Sequence, residues 1–81
     1  MSTVTVQLFA SYAESFGEQT LKIPIAEGGT VRDLLGELRK LPGAEGLPES
    51  PRIAVNRKFA APDQRVDSGD EVALIPPVAG G

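Results

Sequence analysis

Thr30-Val31-Arg32-Asp33-Leu34-Leu35-Gly36-Glu37-Leu38-Arg39-Lys40 is the stretch that decides the fold. Val31, Leu34, Leu35, Leu38 and Leu41 recur at the i, i+3, i+4, i+7 spacing, which gathers them on one side of an α-helix. Thr30 is placed to cap the helix, and Asp33, three residues on, is a shorter version of the usual reciprocal partner. Arg39 and Lys40 complement the negative end of the helix dipole, and Pro42-Gly43 stops the helix. Gly36 costs up to about 1 kcal/mol relative to alanine inside a helix, so it is expected to mark a close packing contact.

On either side of the helix the period changes from helical to alternating. Upstream, Thr20-Leu21-Lys22-Ile23-Pro24-Ile25 turns Leu21, Ile23 and Ile25 to one face, as in a half-buried strand. Pro24 has no N–H for a ladder, so this strand belongs at an edge. Thr3 to Leu8 alternates in the same way, with Phe9 and Ala10 extending it, and Ser11 to Gly17 reads as one helical turn with a glycine stop. Downstream, Pro42 to Pro51 is a surface loop. Arg52-Ile53-Ala54-Val55 is a short apolar strand. Asn56-Arg57 is a tight turn, and Lys58-Phe59-Ala60 pairs back. Asp67-Ser68-Gly69-Asp70 is a strong turn signal before the last strand, Glu71 to Ile75, which Pro76-Pro77 ends.

This order predicts an α+β domain, a mixed sheet of four to five strands packed on one main helix. One helix cannot shield two sheet faces, so it covers one. The first and last strands are the most apolar and are expected side by side and parallel in the middle. That arrangement is the β-grasp, or ubiquitin-like, fold, although other small α+β folds share the same elements.

Composition excludes several functions. The 81 residues make one domain with a modest core and contain neither cysteine nor histidine. Disulfides, thiolate or His-ligated metal sites, imidazole bases and Ser-His triads are therefore ruled out. The net charge of −3 is a poor match for nucleic acid, and no stretch approaches a membrane span. The first ten residues lack a basic region followed by a long apolar run, so no signal peptide is read, and the expected location is the cytoplasm. Asp67, Asp70 and Glu71 cluster without the spacing of a calcium loop and read as turn residues. Gly28-Gly29 lacks both the G-x-G-x-x-G pattern and a P-loop lysine, and reads as a plain turn. Arg52, Arg57, Lys58 and Arg65 lack aromatic interleaving and read as a solvated edge.

The remaining candidate is the C-terminal stretch Pro76-Pro77-Val78-Ala79-Gly80-Gly81. The prolines cannot continue a ladder, and their fixed φ favours an extended exit. Six residues reach at most about 20 Å. Gly80 and Gly81 carry no side chains, so the functional group at the tip is the Gly81 carboxylate on a tether slim enough for a narrow pocket. The bland reading is a frayed end. The two prolines placed just before the glycines argue against it.

The run Gly69-Asp70-Glu71-Val72-Ala73-Leu74-Ile75-Pro76-Pro77-Val78-Ala79-Gly80-Gly81 closely resembles the small, sulfur-carrier subunit of molybdopterin synthase, among the ubiquitin-like sulfur carriers. Its pattern is a Gly-Asp-Glu-Val turn and strand followed by Pro-Pro-Val-x-Gly-Gly. The resemblance continues at Ala54-Val55-Asn56 and Leu8-Phe9-Ala10 and covers essentially the whole chain. One departure is Ala13, where the family often has arginine.

The resemblance implies a β-grasp domain over residues 1–75 with residues 76–81 as an extended functional tail. It implies that an adenylating enzyme uses ATP-Mg to convert the Gly81 carboxylate into an acyl-adenylate, and that sulfur then displaces AMP to give a thiocarboxylate. The tail would enter the synthase large subunit and pass sulfur to cyclic pyranopterin monophosphate, with Phe59 and Ile75 as an apolar docking patch. The chain would be no enzyme on its own and would bind no cofactor or metal, the catalytic residues of both steps belonging to its partners, the large subunit and the adenylating sulfurtransferase. A carrier for thiamine synthesis or tRNA thiolation, a ubiquitin-like protein modifier, and a passive module recognised by its tail are the alternatives. Pro76-Pro77 argues against the thiamine branch.

Overall fold

In a computed structural model that describes residues 2–76, the chain runs β1 (Ser2–Leu8), α1 (Ala10–Phe16), β2 (Thr20–Ile25), α2 (Val31–Leu38), a 3-10 turn (Ala44–Gly46), β3 (Arg52–Val55), β4 (Lys58–Phe59) and β5 (Val72–Ile75). The strands form one sheet in the order β2-β1-β5-β3-β4. β1 and β5 are parallel neighbours, and the other pairs are antiparallel. This is the β-grasp arrangement, with the first and last strands adjacent inside the sheet. β2 lies at an edge, as Pro24 requires.

α2 starts where its cap dictates. The Thr30 N–H donates to Asp33 Oδ2 at 2.9 Å, and the Asp33 N–H donates to Thr30 Oγ1 at 3.4 Å. Two otherwise orphaned N–H groups are satisfied by residues three apart. The helix buries Val31, Leu34 and Leu38 against one face of the sheet. That face supplies Val4, Val6 and Leu8 from β1, Ile23 and Ile25 from β2, Ile53 and Val55 from β3, and Val72 and Leu74 from β5. In register, Val72 lies between Val6 and Val55, and Leu74 between Leu8 and Ile53, so the core rows cross the three central strands. No polar or charged residue is fully buried among the described residues. Fully burying a side chain such as Leu34 contributes roughly 1.5–3 kcal/mol.

Three local expectations are corrected. β1 ends at Leu8. Phe9 is the extended cap residue of α1 and Ala10 begins that helix, so the expected single turn is a seven-residue helix closed by Gly17 in the left-handed conformation (φ 73°). α2 ends at Leu38 rather than Lys40, and the chain then tightens into i→i−3 bonds from Lys40 to Glu37 and from Leu41 to Leu38. Arg39 therefore does more than face a helix dipole. Its guanidinium donates to the Pro48 and Glu49 carbonyls at 2.7 and 2.8 Å and ties down the loop before β3. Finally, Gly36 marks no close contact. A Cβ built there would meet nothing within 4 Å.

Candidate functional site

One sheet face lies under α2, and the strand alternation sends every second residue to the other. Gln7 of β1 is opposite Ala73 of β5, Ala73 is opposite Ala54 of β3, and Ala54 is opposite Phe59 of β4. These four residues form one row across the open face. Ile75 and Arg52 are paired in the next row. The two alanines are small and their neighbours are large, so the face is hollowed into a depression of about 320 Å³ bordered by Phe9, Arg57, Phe59, Glu71 and Ile75. Phe59 is 66% exposed and Phe9 46% exposed, the only large hydrophobic side chains so exposed among the described residues. Exposed aromatics of this size, standing on opposite sides of one depression, mark a surface suited to a partner.

Polar groups frame one end. Asn56 holds the β3–β4 turn against the start of β5. Its Nδ2 donates to Asp70 Oδ1 at 3.2 Å, and its Oδ1 accepts from the Glu71 N–H at 3.0 Å. Asp70 also accepts from the Asp67 N–H at 2.8 Å, so the acidic cluster near Gly69 is largely turn chemistry. Glu71 pairs with Arg57 at 3.4 Å. Arg52 places its guanidinium carbon 5.6 Å from the Phe59 ring centroid, a cation–π contact.

The expected site residues are placed as follows. Phe59 and Ile75 both lie on the open face, outside the buried core, and border the same depression. Half-buried Pro76 follows directly, so the chain leaves β5 at the rim of this depression. Pro77, Val78, Ala79, Gly80 and Gly81 lie outside the described residues. A larger groove of about 810 Å³ runs on the helix side, between α2 and β3, with Arg32, Gly36 and Arg39 on its wall. The open face is the better candidate because Ile75, the last strand residue before the tail, lines it and does not line the groove. Sequence reasoning missed Phe9, Ala54 and Ala73 on this face. The signal for the two alanines was present, since each alternates with buried neighbours in its strand. Among the described residues no group of three or more His, Cys, Asp or Glu is placed to hold a metal ion, and no helix is long and apolar enough to cross a membrane.

A family model described as the ThiS family matches residues 6–81. The chain belongs to the ThiS family. Other comparisons agree with that placement among the ubiquitin-like sulfur carriers. The molybdopterin synthase sulfur carrier subunit of Arabidopsis thaliana is 33% identical over 79 residues, covering 96% of this chain and 82% of the relative. Small archaeal modifier protein 1 of Haloferax volcanii is 33% identical over 84 residues, covering 93% of this chain and 97% of the relative. Among solved structures, the crystal structure of SAMP1 from Haloferax volcanii superposes with a TM-score of 0.83 at 32% identity, covering 98% of this chain and 99% of that one. This ThiS-family member thus shares its fold and most of its length with proteins named both as sulfur carriers and as a protein modifier.

Proposed function

We propose that this chain is the sulfur carrier of molybdopterin synthesis, working as a β-grasp body over residues 1–75 and a functional tail over residues 76–81. The observation that carries the reading is the family match, which runs from β1 through the Pro-Pro-Val-Ala-Gly-Gly end to Gly81. Three of the similar curated proteins are named as molybdopterin synthase sulfur carrier subunits, which supports this branch of the family.

A carboxylate is a poor electrophile because its charge is delocalised and oxide is a poor leaving group. In the proposed mechanism a Gly81 carboxylate oxygen attacks the α-phosphorus of ATP, releasing pyrophosphate and leaving an acyl-adenylate. A sulfur nucleophile delivered by the adenylating partner then attacks the carbonyl carbon, AMP departs, and the tail ends in a thiocarboxylate. Inside the synthase large subunit that sulfur bonds to cyclic pyranopterin monophosphate, water cleaves the acyl–sulfur bond and returns the Gly81 carboxylate, and two such transfers supply the dithiolene. This chain contributes presentation. Phe59, Ile75 and Phe9 form an apolar docking face, and Pro76 and Pro77 lower the ordering cost of the near half of the tail. Val78 and Ala79 meet the pocket walls, and Gly80 and Gly81 thread its narrow end. Catalytic side chains, ATP-Mg and the sulfur source belong to partners in the cytoplasm.

The test is the intact mass of the chain after incubation with its adenylating enzyme, ATP-Mg and a sulfur donor. A gain matching one oxygen replaced by sulfur, mapped to Gly81, is the expected result. No gain with an active enzyme and a proven donor refutes the mechanism. The likeness to small archaeal modifier protein 1 favours one second reading, in which Gly81 is joined to lysines of other proteins. Recovery of isopeptide conjugates in place of the thiocarboxylate would establish it.

A further inference from the structure

Gly36 is an anomaly inside α2. A glycine within a helix is less favourable than alanine and is kept where another backbone must come close. Here an added Cβ would meet nothing within 4 Å, so no described residue needs the space. The space belongs to the groove of about 810 Å³ between α2 and β3, which Gly36 lines with Arg32, Leu35 and Arg39 of the helix side and Arg52 of the strand. Arg32, Gly36 and Arg39 succeed one another at steps of four and three, so they share one face of the helix. The glycine is a gap between two long cationic side chains.

The charge of this groove is opposite to that of the chain. Three of the eight Lys and Arg residues line it, against one, Glu49, of the eleven Asp and Glu residues. Arg32, Arg39 and Arg52 are exposed, and among the described residues none of them has an ion-pair partner. Arg39 is held in place by the Pro48 and Glu49 carbonyls, which accept from Nη2 and leave its charge uncompensated. Three guanidinium groups gathered on a chain of net charge −3 form a local field that attracts carboxylates. Leu35 and Pro62, which both reach solvent, add apolar wall. A nucleic acid is disfavoured, because its phosphates would meet the acidic remainder of the chain.

The spacing suggests the form of the occupant. Arg32 and Arg39 are seven residues apart, about 10.5 Å along the helix. A segment in polyproline-type extension has three residues per turn and rises about 3.1 Å per residue, so side chains three apart point the same way about 9 Å from each other. We propose that this groove is a second docking surface, for an extended Glu-x-x-Glu segment of a partner protein with apolar residues between the carboxylates. The carboxylates meet Arg32 and Arg39, each able to bind one through two parallel N–H···O bonds. The segment's backbone lies against Gly36, and its apolar side chains rest on Leu35 and Pro62. This surface is separate from the open sheet face and independent of the chemistry at Gly81.

The test is fluorescence anisotropy of the full chain with labelled, end-blocked peptides Glu-Leu-Val-Glu, Gln-Leu-Val-Gln and Lys-Leu-Val-Lys. The first is expected to bind at least tenfold more tightly than the other two, and less tightly as salt rises. Gly36→Gln fills the gap with a good helix former, so it should weaken binding at least fivefold while the melting temperature does not fall. Arg32→Gln should weaken binding by a similar factor. Amide shifts in the NMR spectrum should move at Arg32, Gly36 and Arg39 on addition of Glu-Leu-Val-Glu. No binding at millimolar peptide, equal affinity for the Glu and Gln peptides, or full binding by Gly36→Gln each overturns the proposal. So do shifts confined to Gln7, Ala73 and Ile75, which would place the peptide on the open face. Displacement of the peptide by equimolar free glutamate or phosphate would assign the groove to small anions and also overturn it.

Discussion

Replacing Gly36 by alanine should stabilise this domain. Gly36 is exposed on α2, two residues before the last helical residue, with an ordinary helical backbone. A Cβ there would have nothing within 4 Å, so no steric term opposes the change. What remains is the backbone entropy of glycine, worth about 0.5–1 kcal/mol inside a helix and less at a fraying end. For a domain of this size 1 kcal/mol shifts the melting temperature by about 4–8 °C, so a rise of roughly 2–8 °C is expected. Gly43 is the internal control. Its φ is 97°, and an added Cβ would strike the Ser15 carbonyl oxygen and lie 2.9 Å from the Phe16 Cα, both backbone atoms. Gly43→Ala should therefore lower the melting temperature, by more than Gly36→Ala raises it. Thermal melts followed by circular dichroism, with urea titrations to check that the m-value is unchanged, measure both. If Gly36→Ala lowered stability, the packing contact expected from the sequence would be real and the open space around this residue would be wrong.

Thr30→Ala removes the side-chain half of the capping box and should cost about 1 kcal/mol, seen as a lower urea midpoint at constant m-value. The Tyr12 hydroxyl is buried with no hydrogen-bond partner among the described residues, so Tyr12→Phe should leave the melting temperature unchanged or raise it. A clear loss of stability would reveal a partner for that hydroxyl. Asp at both Phe59 and Ile75 should abolish binding to the adenylating enzyme, while circular dichroism shows the sheet intact, since neither residue belongs to the core. Deleting Gly81 should eliminate the thiocarboxylate mass gain without moving the melting temperature. A large thermal destabilisation would mean that the tail supports the fold.

The helix and strands were legible because each carries a local pattern that its neighbours do not share. The Leu34, Leu38 and Val31 stripe, the Thr30–Asp33 cap and the alternation of β2 each survive in the structure with only their ends adjusted. The ends moved where local signals compete. Phe9 and Ala10 are apolar enough to extend a strand, yet Ala10 starts a helix, and Lys40 extends the helical pattern after its backbone has tightened. Arg52, Arg57 and Lys58 stand exposed along the β3–β4 edge, as the sequence leads one to expect, while the contact of Arg52 with Phe59 depends on strand pairing. Gly36 departs from expectation because propensity gives the cost of a glycine and not what surrounds it.

The amino-acid sequence by itself determined the element order and the face of each element that must be dry, because these follow from residue type and from periods of two and 3.6 within one segment. Tertiary structure alone decided which side chains share the open face. The parallel pairing of β1 with β5 and the antiparallel return of β3 and β4 align Gln7, Ala73, Ala54 and Phe59, residues far apart in the chain, into one row beside Ile75. Register between distant strands is set by the joint packing of all their buried residues, and no single segment encodes it.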